Sequence, residues 1–155
     1  MLPDVNTGVS NIELGAGFSW IVRVYYEDTD AGGVVYYANY LKYFERCRSE
    51  WLRALGVDQS ELTRERGLQF VVTELEARYL RPAHLDDQLT IEARVVALGR
   101  CSLVFLQQAL RAAQPLARAR VKVACVDLRR RPARLPAQLG GQIRVVQVDP
   151  AVRGG

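Results

Sequence analysis

An α+β domain, with one long helix covered by an antiparallel sheet, is the fold class that the 155 residues predict. Three observations carry it. From Asn39 to Leu55 apolar side chains recur every three or four positions, the spacing of one helix face. From Val71 to Cys125 the period drops to two, in successive runs broken by short Gly- or Pro-bearing turns, as in strands joined to antiparallel neighbours. A composition of 49% hydrophobic and 25% charged residues, at this length, suits a single core.

Taken in order, Met1 to Phe18 is polar, contains glycine and has no sustained period, so it is expected to be a loose lead-in to a domain over 19–148, with 149–155 as a tail. Trp20 to Tyr26 alternates, Trp20, Val22, Val24 and Tyr26 facing one way and Ile21, Arg23 and Tyr25 the other, which predicts a strand. A turn rich in Asp and Gly follows. In the long helix, Tyr40, Phe44, Cys47, Trp51 and Leu55 form the apolar stripe, and Lys42, Glu45, Arg46, Arg48, Ser49 and Arg53 the polar side; Gly56 ends it. Asp58 and Glu61 are spaced as a capping box for a short second helix that Gly67 stops.

The strands come next. Val71, Thr73, Leu75, Ala77 and Tyr79 are expected to share one face, opposite Val72, Glu74, Glu76 and Arg78. Pro82 to Asp87 is a turn, after which Leu89, Ile91, Ala93 and Val95 oppose Gln88, Thr90, Glu92 and Arg94. Gly99 marks a turn, Ser102 to Leu110 a strand, and Gln114-Pro115 a further turn. Ala117, Ala119, Val121, Val123 and Cys125 then oppose Arg118, Arg120 and Lys122, and Gln142 to Val148 is a candidate short strand.

Charge and cysteine usage exclude several classes. The net charge of +4 is mild, and the densest basic run, Arg129-Arg130-Arg131 before Pro132, is short for a nucleic-acid stripe and is expected to solvate a chain end. A mild positive field suits an anionic ligand. Cys47, Cys101 and Cys125 are odd in number and form no CxxC, which points to buried reduced thiols in a cytoplasmic protein. No apolar run approaches the ~20 residues of a membrane span, and the N-terminus lacks the pattern of a signal peptide.

The stretch with chemical content is Tyr25-Tyr26-Glu27-Asp28-Thr29-Asp30-Ala31-Gly32-Gly33, running through Val34 to Tyr37 into the helix. Helix-start N–H groups are unpaired and partly positive, so they can polarise a carbonyl while a carboxylate beside them attacks it or activates water. Competing motifs are absent or incomplete. Two carboxylates alone make a poor metal site, the turn reads Asp-Thr-Asp rather than Asp-Thr-Gly, and there is no Gly-Lys-Ser/Thr loop or Gly-x-Ser-x-Gly elbow. His84 is the single histidine and falls in a turn far along the chain, which leaves a Ser-His-Asp or Cys-His mechanism without its base.

The run Val24 to Tyr36 resembles the signature of the 4-hydroxybenzoyl-CoA thioesterase-like group of hot-dog proteins. Within that group the likeness is to the acyl-CoA thioesterase branch associated with the bacterial Tol–Pal system. It continues through Asn39-Tyr40, Phe44-Glu45-Arg46, Glu50 to Arg53, Pro82 to Asp87 and Ser102 to Phe105, so it covers about residues 20–130. The resemblance implies a hot-dog fold, a curved antiparallel sheet wrapped around one long helix, in dimers or tetramers with the site near a subunit interface. It implies acyl-CoA substrates, an acyl carrier protein as a possible donor, and neither metal nor redox cofactor, coenzyme A being part of the substrate.

Residue by residue, Asp30 matches the family's catalytic carboxylate, as nucleophile or general base, and the Tyr37 N–H matches the group that polarises the thioester carbonyl. Tyr26, Asp28 and Gly33 match the turn around them, and Arg100, with Ser102 just after it, matches a basic turn that holds the nucleotide end of coenzyme A. Arg118, Arg120 and Lys122 are further phosphate candidates. The Tol–Pal-associated branch carries histidine where this chain has Tyr37, whereas the 4-hydroxybenzoyl-CoA branch can carry tyrosine there. Two other readings stand beside the thioesterase: a hot-dog hydratase, whose relatives pair an acid with histidine, and a non-catalytic acyl-carrier or lipid-enzyme binding module.

Overall fold

Alternating apolar and polar residues make five strands in the computed structural model, which describes residues 17–143 and 145. They are β1 (Phe18–Arg23), β2 (Gln69–Tyr79), β3 (Gln88–Leu98), β4 (Ser102–Arg111) and β5 (Gln114–Val126). The helices are α1 (Asn39–Ala54), α2 (Gln59–Arg66) and the single turn α3 (Ala137–Gly140). All pairings are antiparallel, in the order β1-β3-β4-β5-β2, so β1 and β2 are the two edges.

Helix α1 packs against β1, β3 and β4. Its expected stripe, Tyr40, Phe44, Cys47, Trp51 and Leu55, is buried, Tyr43 and Leu52 are buried beside it, and Trp51 meets Phe105 of β4 edge-on at 5.2 Å between ring centres. Leu89, Ile91, Ala93 and Val95 of β3, and Ala117, Ala119, Val121, Val123 and Cys125 of β5, form the opposing layer, again with the parity that the sequence predicts. The Asp58 side chain caps α2 by accepting the Glu61 N–H at 3.1 Å, and Gly67 closes it in the left-handed conformation.

Several expectations need correction. β1 begins at Phe18 and ends at Arg23, and Tyr26 lies in a 3-10 turn, 81% exposed, instead of continuing the buried face. The cause is local: the Asp28 carboxylate accepts the Tyr25 N–H at 2.8 Å and bends the chain out of the sheet. In β2 the register slips between Val72 and Glu74, so the predicted faces do not run the length of the strand. Val72, Leu75 and Tyr79 are exposed on this edge. Arg48, expected on the solvated side of α1, turns inward to donate to the buried Gln107 side chain at 2.8 Å; burial lowers its pKa. Cys47 and Cys125 are buried free thiols, their pKa values pushed up by burial, but Cys101 is only half-buried. The tail after β5 returns to the core through Leu139 and Ile143, and Gln142 donates to the Leu55 carbonyl at the end of α1. The predicted strand at Gln142 to Val148 is not formed at 142, 143 or 145; its remaining residues, like 1–16, lie outside the described residues.

The β4–β5 hairpin turns at Ala112-Ala113, not at Gln114-Pro115, which lie in β5 opposite Arg111 and Leu110. Both alanines take positive φ, 47° and 69°, the conformation of a two-residue turn that favours Asn and Gly. Replacing the pair by Asn-Gly is expected to stabilise the fold by about 1 kcal/mol and raise Tm by ~2–4 °C in thermal denaturation. An unchanged Tm would show that the alanines carry no strain.

Candidate active site

A small hairpin between β1 and α1 builds the site. Its first arm follows the 3-10 turn Tyr26–Asp28, and its second arm runs into the helix. Thr29 bridges Val35, the Asp30 N–H donates to the Val34 carbonyl at 2.9 Å, and the Tyr36 N–H donates to the Asp28 carbonyl at 3.0 Å. The tip is closed by Asp30 itself: its carbonyl accepts the Gly33 N–H at 3.0 Å and its Oδ1 accepts the Gly32 N–H at 2.8 Å. Gly33 has φ 80°, and a Cβ there would meet nothing within 4 Å, so backbone conformation and not crowding calls for glycine.

The two aspartates occupy opposite environments. Asp28 is buried, and its two oxygens accept the Tyr25 N–H at 2.8 Å and the Asn39 side-chain amide at 2.9 Å. Asp30 is exposed in the single chain, and among the described residues only the Gly32 N–H bonds its carboxylate. A carboxylate with a free oxygen at the surface of a structured turn is available for chemistry; one enclosed by donors is structural.

At the helix start the Asn39 N–H reaches back to the Tyr36 carbonyl at 2.8 Å, which makes Tyr36 to Asn39 a turn with Tyr37 and Ala38 at its centre. Among the described residues the Tyr37 and Ala38 N–H groups donate to no acceptor, as expected for the first donors of a helix. The Tyr37 side chain is 60% exposed. It heads a line of rings, 4.9 Å from Tyr36 and 5.8 Å from Tyr79, with Tyr79 in turn 5.7 Å from Tyr40. The Tyr37 hydroxyl raises the pKa of Tyr36, and burial raises those of Tyr40 and Tyr79, so these three phenols stay neutral far above physiological pH.

The turn before β3 buttresses the hairpin, which sequence separation had hidden. His84, far from the Asp turn in the chain, bridges Val34 through its backbone, and the Val35 N–H donates to the Ala83 carbonyl at 2.8 Å. The Tyr40 hydroxyl accepts the Ala83 N–H at 3.1 Å, pinning this turn to α1. The turn is itself held by Asp87. Burial raises the pKa of that carboxyl, but the His84 N–H and the Arg111 guanidinium, 2.8 Å away, outweigh burial and hold it below the ordinary value. The His84 ring is half exposed, with Nδ1 3.9 Å from Asp87. Tyr40 and Tyr79, which periodicity assigned only to a helix stripe and a strand face, thus adjoin the site, as does Asn39, read from the sequence only as the helix start.

Of the residues singled out in the sequence, Tyr26, Asp28, Asp30, Gly33 and Tyr37 come together in or beside this hairpin. Arg100 and Ser102 do not. They stand at the β3–β4 turn, whereas the hairpin adjoins the start of β3, so the 11 residues of that strand, roughly 30 Å, separate them. Arg100 instead borders a groove of about 420 Å³ with Leu98, Arg134 and Pro136. A second cavity, of about 120 Å³, lies between α1 and the sheet beside Arg48, Trp51, Phe70 and Phe105. Neither is lined by Asp30 or Tyr37. Arg118, Arg120 and Lys122 project from β5, where Arg120 and Lys122 lie near Glu74 of β2 at 3.8 and 4.0 Å. Among the described residues no three His, Cys, Asp or Glu side chains gather as a metal site, and no helix is long and apolar enough to cross a membrane.

Comparison with known proteins gives the family. Residues 24–143 match the family model described as the thioesterase-like superfamily. The chain is 48% identical over 127 residues to the acyl-CoA thioesterase YbgC of Haemophilus influenzae, covering 81% of this chain and 93% of that protein. It is 44% identical over 129 residues to the acyl-CoA thioester hydrolase YbgC of Escherichia coli, covering 82% and 96%. The crystal structure of a probable thioesterase from Bartonella henselae superposes with a TM-score of 0.75 at 39% identity, covering 78% of this chain and all of that one.

Proposed function

The chain belongs to the thioesterase-like superfamily and has its hot-dog fold, and from that membership we propose that it is an acyl-CoA thioester hydrolase acting through Asp30 and the Tyr37 N–H. It cleaves an acyl-CoA to the free acid and coenzyme A, as the names of its relatives at 44–48% identity describe for them. The observation that carries the assignment of residues is the pairing of an exposed carboxylate with an uncommitted helix-start N–H on the two arms of one hairpin.

The chemistry follows from those two groups. The thioester carbonyl oxygen accepts the Tyr37 N–H, which binds the oxyanion more strongly than the neutral carbonyl and so favours the transition state. The Asp30 carboxylate either takes a proton from water as that water attacks the carbonyl carbon, or attacks the carbon itself to give an anhydride that water then hydrolyses. In both routes the C–S bond breaks and the thiolate of coenzyme A leaves to be protonated. Coenzyme A enters as part of the substrate, and the residues named need neither metal nor redox cofactor for these steps.

Arg100 serves the nucleotide end of a substrate held by another copy of the chain, since its own hairpin lies at the other end of β3. A homo-oligomer is expected on independent grounds: β2 is an edge strand exposing Val72, Leu75 and Tyr79. Light scattering at micromolar concentration should give a multiple of 17.4 kDa; a monomer would remove both the oligomer and the role of Arg100. Arg100→Ala should raise KM for acyl-CoA several-fold with kcat nearly unchanged, because a remote phosphate contact binds ground and transition states alike. An unaltered KM would make Arg100 a plain surface charge.

The deciding experiment is thiol release from a panel of short, long and aromatic acyl-CoA esters, with acyl carrier protein thioesters as a second donor. Turnover of any CoA ester supports the reading, and binding without turnover would favour the acyl-carrier module. The resemblance to the Tol–Pal-associated branch and a cytoplasmic setting belong to this proposal too. The place of His84 beside Val34 gives the hydratase reading one concrete feature. His84→Asn should leave hydrolysis within ~3-fold, about 0.7 kcal/mol in barrier.

A further inference from the structure

We infer that Asn39 is a positioning residue: its bond to the buried Asp28 carboxylate locks the start of α1 to the turn carrying Asp30, and thereby aligns Asp30 with the Tyr37 N–H. This rests on the thioesterase reading for its catalytic readout.

Asn39 is an odd choice for its place. It is the first residue of α1, where the preceding Ala38 makes no side-chain cap, and Asn is a mediocre helix former. Its side chain does not serve the helix. It reaches out of α1 to Asp28 at 2.9 Å, and both residues are buried, 5% and 6% exposed. A carboxylate so enclosed is tolerable only with its donors in place. It has two side-chain contacts, the Tyr25 N–H and Asn39, while its backbone carbonyl takes the Tyr36 N–H.

The consequence is geometric. Asp30 lies two residues beyond Asp28 on one arm, and Tyr37 two residues before Asn39 on the other. The Asp28–Asn39 bond is therefore a cross-tie beneath the two reacting groups, and a displacement of ~1 Å between such groups can cost ~10²-fold in rate. One helical turn on, Tyr43 seals the tie. Its ring is fully buried and its hydroxyl faces Asp28 and Asn39 without meeting any acceptor at hydrogen-bond geometry. Burial, and then the neighbouring Asp28 carboxylate, push that phenol far above its ordinary pKa, so it stays neutral beside the tie.

Asn39→Leu removes the donor at similar volume. It should lower kcat ~10–10²-fold with KM within ~3-fold, and speed hydrogen exchange at the Tyr36 amide relative to Val121 in β5. Asn39→Asp sets two carboxylates together, which can bond only while they share a proton. The titratable groups around that pair are Tyr43 and, reaching Tyr43 from the same helix, Arg46, with Glu27 and Asp30 beside it in the turn. Asn39→Asp should therefore add an alkaline limb to the kcat profile that the wild type lacks. The exchange of roles, Asp28→Asn with Asn39→Asp, keeps an acceptor for Tyr25 and a donor across the tie. It should restore kcat and remove the limb.

Wild-type kcat and Tyr36 exchange in Asn39→Leu would overturn the inference, as would an exchanged pair that regains wild-type Tm but not kcat. Should Asn39→Leu fail to fold, the exchanged pair decides. If the wild type releases thiol from no acyl-CoA, the thioesterase reading fails. The tie is then judged by Tyr36 exchange in the two variants, unchanged exchange rejecting it.

Discussion

Asp30→Asn is expected to fold as the wild type does and to lose at least ~10² in kcat for every acyl-CoA ester turned over. The amide keeps the shape of the carboxylate, and its Oδ1 can still accept the Gly32 N–H that closes the turn at 2.8 Å, so the hairpin has no reason to rearrange. What changes is chemical: an amide oxygen is a poor nucleophile and an amide takes no proton from water near neutral pH. A factor of ~10² corresponds to about 2.7 kcal/mol in barrier. Thiol release, circular dichroism and Tm together make the measurement. Near-wild-type turnover in a folded variant would take Asp30 out of the mechanism and leave the exposed aspartate as a turn former.

Tyr37 separates backbone from side chain, and the second large effect is expected in Tyr37→Pro. Tyr37 is the second residue of the Tyr36–Asn39 turn, a position where proline is favoured, and among the described residues its N–H donates to nothing. Proline therefore deletes a donor that the fold does not use. If that donor holds the oxyanion, kcat should fall ~10²–10³-fold with little change in Tm. Tyr37→Ala controls for the lost ring, and Tyr37→Phe, which keeps both amide and ring, should lose no more than ~10-fold. The phenol–phenol contacts of Tyr37 with Tyr36 and Tyr79 predict a change in acyl preference, not in chemistry, when the ring is altered. Equal activity in the Pro and Ala variants would refute a role for the N–H, and a ~10³-fold loss in Tyr37→Phe would assign the chemistry to the hydroxyl.

The two elements that were easiest to read obey the same physics. α1 and β3 each bury one continuous face, so helical and strand periods are written directly in their side chains, Tyr40 to Leu55 and Leu89 to Val95. The Asp30 turn was legible for a different reason: its glycines, its paired aspartates and the helix that follows are consecutive, and local hydrogen bonds close it. Where a face is not buried, or where the ladder slips, the period misleads. β2 is an edge with a bulge, β1 is bent early by the Asp28 carboxylate, and the β4–β5 turn uses two alanines that carry no turn signal.

By itself the sequence determined the α+β class, the long helix and its buried stripe, the strand parity of β3 and β5, and the turn that brings Asp30 to the helix start. Each depends on neighbours within a few residues, which is the range that periodicity and turn chemistry report. Only the tertiary structure decided that Asp28 is buried and tied to Asn39, that His84 and Ala83 brace Val34 and Val35, and that Arg48 turns inward to Gln107. It alone showed that Arg100 stands a full strand away from Asp30. The contacts among these join residues 11 to 59 positions apart in the chain, and nothing in local pattern encodes them. They arise because a buried carboxylate, a buried amide or a free backbone donor must find a partner wherever packing brings one within reach.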